Sequence, residues 1–436
     1  MINAILLIIA SILFFLVCLK RLDIALGLIA MTLFSYLIRF KILSIPFTFL
    51  EMMILTLFIA WLVKILIKKE KIYWSSFFRP ALFLLLAGIV SVFVSPGTRA
   101  ALGIYKAYFI EPALYFLVFI NVIRNKKELK QIIFYLAVGA LFISILAIWQ
   151  YLGLIPGLKP YITESPKRAT SLFEFPTAVG KYLGPIIGLF LALIFVTKEV
   201  QKEVLKEEKD RWPYKFYLWG VVIISLLATI FSFTRGALMG VAGAFVFLSF
   251  FSRYKKIIWL GILLIIIIFI SLPWGRHELL SVFSGQDTST DVHRVMWEGT
   301  WRLLKAHPIF GAGLAGFPFL YNIYRDPAHV ELFPYPDNFF LAIWSELGLA
   351  GLAIFGWLII KYIREIIRLL RKNIDPYFRQ IILGLAAAMI GLFIHGLVDT
   401  PYFKNDLSVM FWLLIGILAA IKKIHDQTGQ NSENSV

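Results

Sequence analysis

The chain has 436 residues, 60% of them hydrophobic and 16% charged, with a mean hydropathy of +0.82. A soluble domain carries roughly a quarter charged residues, so a soluble globular class is excluded and an all-α, polytopic membrane protein is indicated. The formal net charge of +17 sits in short connectors between alternate apolar runs. That is the positive-inside pattern, which points to a lipid bilayer and not to nucleic acid as the partner.

Apolar runs long enough to cross a hydrocarbon core recur from end to end. They predict about 12–13 transmembrane helices, at 3–19, 22–38, 46–67, 80–95, 103–123, 130–151, 177–197, 214–232, 235–251, 256–273, 338–362, 378–397 and 406–422. Twelve spans with one re-entrant piece is the alternative. The first run, MINAILLIIASILFFLVCLK, has no basic n-region and no small-residue cleavage site, so it reads as a span and not as a removed signal. The single cysteine, Cys18, lies within it, so neither a disulfide framework nor a cysteine metal site is expected.

The basic connectors are Lys20-Arg21, Lys68 to Arg79, Arg124 to Lys130, Lys198 to Lys215, Arg253 to Lys256, Lys361 to Arg379 and the tail from Lys422. Placed inside, they leave the N-terminus outside and the C-terminus in the cytoplasm, with Arg39 and Lys41 as outer exceptions. Segment 198–212 has mixed charge and reads as a solvated connector. Residues 1–424 form one transmembrane domain in this reading, and 425–436 a disordered cytoplasmic tail. Glu51, Lys106 and Glu111 fall within spans and are expected to pair inside the bundle, since isolated charges there are costly.

The outer connectors are 152–176, a tight turn at 233–235, a long loop at 274–337 and 398–405. Loops beyond about 12–15 residues are usually functional or disordered, and this one is too aromatic for disorder. Within it, DVHRVMWEGTWRLLKAHP predicts an amphipathic helix at 291–308, with Arg294, Trp297, Trp301 and Leu304 near one face. The following GAGLAGF matches G-x-G-x-x-G, but Pro308 and Pro318 flank it and no strand precedes it. A dinucleotide site is therefore rejected, and a tight turn expected.

Three arginines stand on the outer side: Arg168 before a span led by Pro176, Arg235 between two nearly abutting spans, and Arg294 in the long loop. Guanidinium binds phosphate oxygens through paired hydrogen bonds and keeps its charge, so an anionic ligand such as a lipid-linked pyrophosphate is expected. Gly236, Ala237 and Gly240 would let a helix or a ligand approach closely. Asp337 is placed either as the N-cap of span 338–362 or as a general base, and a cap bond would lower the pKa that a base needs raised. His395 and Asp399 share a helix face at i and i+4, which suggests a structural hydrogen bond. His293 and His329 are loop candidates for acid–base or acceptor-binding roles.

Arg168 before a Pro-led span, FSFTRGALMG, the R-x-x-x-W helix running into HPIFGAGLAGF, PDNFFLAIWSELGLAGL and HGLVDTPYF together resemble the O-antigen ligase and O-antigen polymerase superfamily of bacterial envelope glycosyltransferases. The resemblance implies an all-helical, multi-pass protein of the inner (cytoplasmic) membrane with its active site on the extracytoplasmic side. It implies metal-independent, inverting transfer of a glycan from an undecaprenyl-pyrophosphate carrier to an acceptor glycan or glycolipid, with no cofactor. Arg168, Arg235 and Arg294 would hold the pyrophosphate and stabilise the leaving group. Asn338, His329, His395 and Asp399 would line the substrate site. The family's usual His-Asn is Asp337-Asn338 here, so Asp337 would replace the histidine as base, or another residue such as His329 would serve. A secondary transporter of an anion or small solute, and a non-catalytic binder of lipid-linked glycans, are the competing classes.

Overall fold

The computed structural model describes residues 4–42, 45–162, 167–195, 211–252, 255–261, 271, 288–327 and 333–433. His329 and the loop stretch 272–287 lie outside the described residues. The fold is all-α, apart from a short hairpin of β1 (Arg39–Ile42) and β2 (Ile45–Thr48), paired antiparallel with Arg39 opposite Thr48.

The helices are α1 (Ala4–Lys20), α2 (Leu22–Met31), α3 (Phe49–Lys68), α4 (Phe78–Val94), α5 (Thr98–Val122, with a π turn at Lys106–Ile110), α6 (Lys126–Leu152), α7 (Pro176–Ile194), α8 (Arg211–Phe231), α9 (Arg235–Ser249), α10 (Thr288–Ala306), α11 (Phe317–Tyr324), α12 (Phe339–Leu370), α13 (Pro376–His395) and α14 (Asn405–Glu433). Among the described residues, seven of these are long and apolar enough to cross a membrane: α3, α5, α6, α7, α12, α13 and α14. α1, α2, α4, α8 and α9 are shorter apolar helices. The predicted second span, 22–38, divides into α2 and a 3₁₀ turn at Leu33–Leu37.

Local chemistry sets the helix boundaries. α3 opens on a capping box, in which Thr48 Oγ1 accepts from Glu51 N (3.2 Å) and Glu51 accepts from Thr48 N (3.1 Å). α6 starts at Asn125, which caps Glu128 N, and stops at Gly153 in the left-handed region. α13 follows an Asp375 cap with proline in its first turn. The last helix continues to Glu433, across the segment expected to be a disordered tail. Propagating an existing helix is cheap, and Asp426 is held by Lys372 at 3.1 Å.

α7, α13 and α14 form the interior, and α1, α3 and α4 turn large side chains such as Ile5, Leu66 and Phe93 outward. Small residues let α7, α9 and α13 approach closely. A Cβ on Gly180 would meet Ala237, one on Gly188 the backbone of Ala388, and one on Gly240 the carbonyl of Gly391. The partners of Gly236, Ala237 and Gly240 are thus neighbouring helices and the turn after α13. Lys106 pairs with Glu51 inside the bundle, and Glu111 lies buried beside them.

Candidate active site

The head of α12 organises the site. Asn338, and not Asp337, is the N-cap: its Oδ1 accepts from Phe340 N and Leu341 N, both at 3.1 Å. The expectation that Asp337 caps this helix is corrected. The preceding residue is turned away by a left-handed backbone (φ 39°), so its carboxylate is not spent on the helix amides. Asn338 Nδ2 also donates to Leu397 O (3.0 Å), and Phe339 N to Gly396 O (2.7 Å). These two bonds fasten the start of α12 to the turn that follows α13.

That turn carries His395 and Asp399. His395 Nε2 lies 3.4 Å from Asp399 Oδ2, and Asp399 Oδ1 accepts from Thr400 N (2.7 Å) and from Lys181 Nζ (2.8 Å). His395 and Asp399 are buried, and Lys181 is largely enclosed. Lys181 sits one turn into α7, four residues before Pro185, which leaves the Lys181 carbonyl without its helical donor. Burial pushes the Asp337 carboxyl up to about 7, the charge of Asp399 adds to this, and Lys181 offsets part of it. Burial also opposes ionisation of Asp399, but Lys181 and His395 outweigh it and hold that carboxyl well below the usual range. Two carboxylates around one ammonium therefore differ in character, one firmly ionised and one poised near neutrality.

α9 packs on the same turn. A Cβ on Gly236 would meet the His395 ring and Val398, so Arg235, exposed at the first position of α9, lies beside it. Arg168 reaches the same connector: its Nε donates to Ser232 O (3.0 Å) and its Nη2 to Phe233 O (3.4 Å), while Ala169 N bonds to Phe231 O (2.8 Å). Arg168 and Arg235 are thus brought to one turn.

Arg294 stands differently. It is exposed on α10 and pairs with Glu298 at 3.1 Å. The buried face of α10 is Met296, Thr300, Leu303 and Leu304, whereas Trp301 is exposed. Trp301 packs edge-on against Trp344 at the rim. Trp297 nonetheless ties the helix to the site, its indole donating to Pro336 O (3.0 Å), one residue before Asp337.

The glycine-rich loop forms turns between α10 and α11, without a dinucleotide-binding context. It docks into a kink of α12 at Gly348 (φ 71°), with Ala312 N bonded to Ser345 O (2.6 Å) and Leu349 N to Ile309 O (3.0 Å). Fully buried Glu346 accepts from Ala315 N (2.7 Å).

Residues 220–356 match the family described as O-antigen ligase. No curated protein matches the chain. The matched segment runs from α8 to the middle of α12 and takes in Arg235, Arg294, Asp337 and Asn338. It leaves Arg168, Lys181, His395 and Asp399 outside. It bears out the resemblance to the O-antigen ligase and polymerase superfamily and supports a membrane glycosyltransferase of ligase or polymerase type. With the seven helices among the described residues that are long and apolar enough to cross a membrane, it points to a multi-pass bacterial inner-membrane protein.

Sequence reasoning did not rank Lys181 or Glu346 among the site residues. The signal was available: each is a charge inside a predicted span, at 177–197 and 338–362, and an intramembrane charge is a functional candidate by default.

Proposed function

We propose that the protein transfers a glycan from a lipid-linked pyrophosphate of the undecaprenyl type to a hydroxyl of an acceptor glycan or glycolipid, on the extracytoplasmic side. The observation that carries this reading is the convergence of Asp337 with Lys181, His395 and Asp399 at the head of α12, beside the turn that holds Arg168 and Arg235.

Asp337 takes the proton of the acceptor hydroxyl as its oxygen attacks the anomeric carbon. The bond from that carbon to the pyrophosphate oxygen breaks, and the electron pair leaves with the lipid pyrophosphate. Attack opposite the leaving group inverts the anomeric centre. Arg235 and Arg168 meet the growing negative charge on the pyrophosphate, and Arg294 reaches it from the loop side. Asn338, His395 and Asp399 fix the frame in which Asp337 and Lys181 face one another, and a base poised near neutrality is well matched to the task.

The test is transfer by the purified protein in lipid vesicles containing a lipid-linked glycan and an acceptor. Asp337→Asn is expected to abolish transfer and to keep donor binding. Retained transfer overturns the assignment of the base.

A further inference from the structure

The end of the bundle away from Asp337 holds a second arrangement of charge. α14 begins beside the Lys181–Asp399 pair and carries Lys423 on the order of 26 Å further along its axis, at 1.5 Å per residue. Near Lys423, two cavities of about 230 and 310 Å³ have Trp61, Ile65, Glu70, Asn121 and Arg124 in common. The larger reaches the lower end of small-molecule sites, roughly 300 Å³.

The apolar wall is Trp61 and Ile65, both buried. The charged residues divide into two groups. Arg21 is committed to Asp23 and Arg124 to Glu70, each at 2.6 Å. Lys423 donates to Ile120 O (2.8 Å) at the end of α5, and the Asn121 amide is closed on the backbone of Tyr73. Lys20 and Lys64 line the smaller cavity and Lys71 the larger; all three are exposed, and none has a carboxylate within ion-pair reach among the described residues. A positive-inside bias explains lysines in connectors. It does not explain their placement at two adjoining cavities that share five lining residues, nor Lys64 placed a full turn inside α3.

We propose that these two adjoining cavities together bind the phosphate headgroup of an anionic lipid, at the membrane face opposite the candidate active site. Lys20 and Lys64 at one cavity and Lys71 at the other meet the phosphate, and Trp61 and Ile65, common to both, meet the glycerol and upper acyl carbons. Basic pockets between membrane helices take such headgroups, with each cation contributing about 1 kcal/mol near the surface. The inference is independent of the transfer reaction.

The experiment is native mass spectrometry of the purified, full-length protein in a neutral detergent. The probes are phosphatidylglycerol, phosphatidylcholine with the same acyl chains, and inorganic phosphate. Phosphatidylglycerol is expected to bind, and to bind on the order of tenfold or more weakly to the Lys64→Gln/Lys71→Gln double variant. Lys20→Gln is expected to weaken it further, and the melting temperature of each lipid-free variant checks that the fold is kept. Equal binding of phosphatidylglycerol by parent and variants overturns the site. Equal binding of phosphatidylcholine removes the anionic requirement and overturns it too. Inorganic phosphate that displaces phosphatidylglycerol at equal concentration overturns the lipid as source and leaves a free-phosphate site.

Discussion

Asp337 and its two neighbours make a prediction that depends on sign. Its carboxyl is raised to about 7 by burial and by Asp399, against Lys181, so transfer is expected to rise with pH through about 7. Asp399→Asn removes the like charge and frees Lys181 to serve Asp337, which moves this acid limb to lower pH. Lys181→Gln removes the cation and moves it to higher pH. Initial rates against pH for the three proteins decide the matter, and superimposable profiles would disconnect the cluster from transfer. Stability runs the other way. The folded protein holds the Asp337 proton more tightly than an unfolded chain, with its pKa near 3.9, so this residue's contribution falls as pH rises from about 4 to about 7. Asp337→Asn leaves no charge to bury and suits a left-handed backbone. It is therefore expected to melt no lower than the parent at pH 8 while losing transfer, which separates chemistry from folding. Asn338→Ala loses a helix cap, about 1 kcal/mol, together with its bond to Leu397, and is expected to lower both melting temperature and rate. Chemical type was legible here and pairing was not. The Asp-Asn dipeptide advertises both a cap and a base, but only the left-handed turn at Asp337 decides which residue does which.

At the scale of elements, the glycine loop and the kink of α12 act as one joint. Gly348 adopts φ 71°, and a Cβ there would press on the Ile309 carbonyl. Gly313 adopts φ 79°, and a Cβ there would lie 2.7 Å from Ser95 N. Gly348→Ala is expected to cost on the order of 1–3 kcal/mol or more from strain and displacement of the loop. Gly356→Ala, in the same helix with open space around its Cβ position, is expected to be neutral or slightly stabilising. Thermal melts of the two variants in detergent provide the comparison, and a neutral Gly348→Ala would show that the joint is not structural. The sequence shows GAGLAGF as a turn, because prolines flank it and no strand precedes it. That the turn inserts into a helix far along the chain was not legible, because the hydrophobic period of 338–362 runs through Gly348 without a break. For α10, periodicity gave the helix and the spacing of its stripes, while the facing surface of α11 and α12 decides which stripe is buried.

Across the whole molecule, charge sorts by end. Arg124 pairs with Glu70, Lys126 with Asp375 (2.9 Å), Lys372 with Asp426, and Lys422 with Glu365 (3.0 Å). Connectors that the sequence grouped only by their lysine and arginine content thus meet at one end of the bundle. Asp337, Asp399 and the start of α14 occupy the other, and Asn405 approaches Thr48, so the hairpin that begins at Arg39 lies with them. The positive-inside rule then predicts a specific sidedness, with the basic end in the cytoplasm and the Asp337 end outside. Cys18 is buried and is the only thiol, so a Cys18→Ala background permits single-cysteine labelling. In right-side-out spheroplasts, a membrane-impermeant maleimide is expected to label Ile323→Cys, on the exposed face of α11. Lys127→Cys, exposed at the opposite end near Arg124, is expected to react only after permeabilisation. The reverse pattern would place Asp337 in the cytoplasm, where transfer to an extracytoplasmic acceptor could not occur at this site.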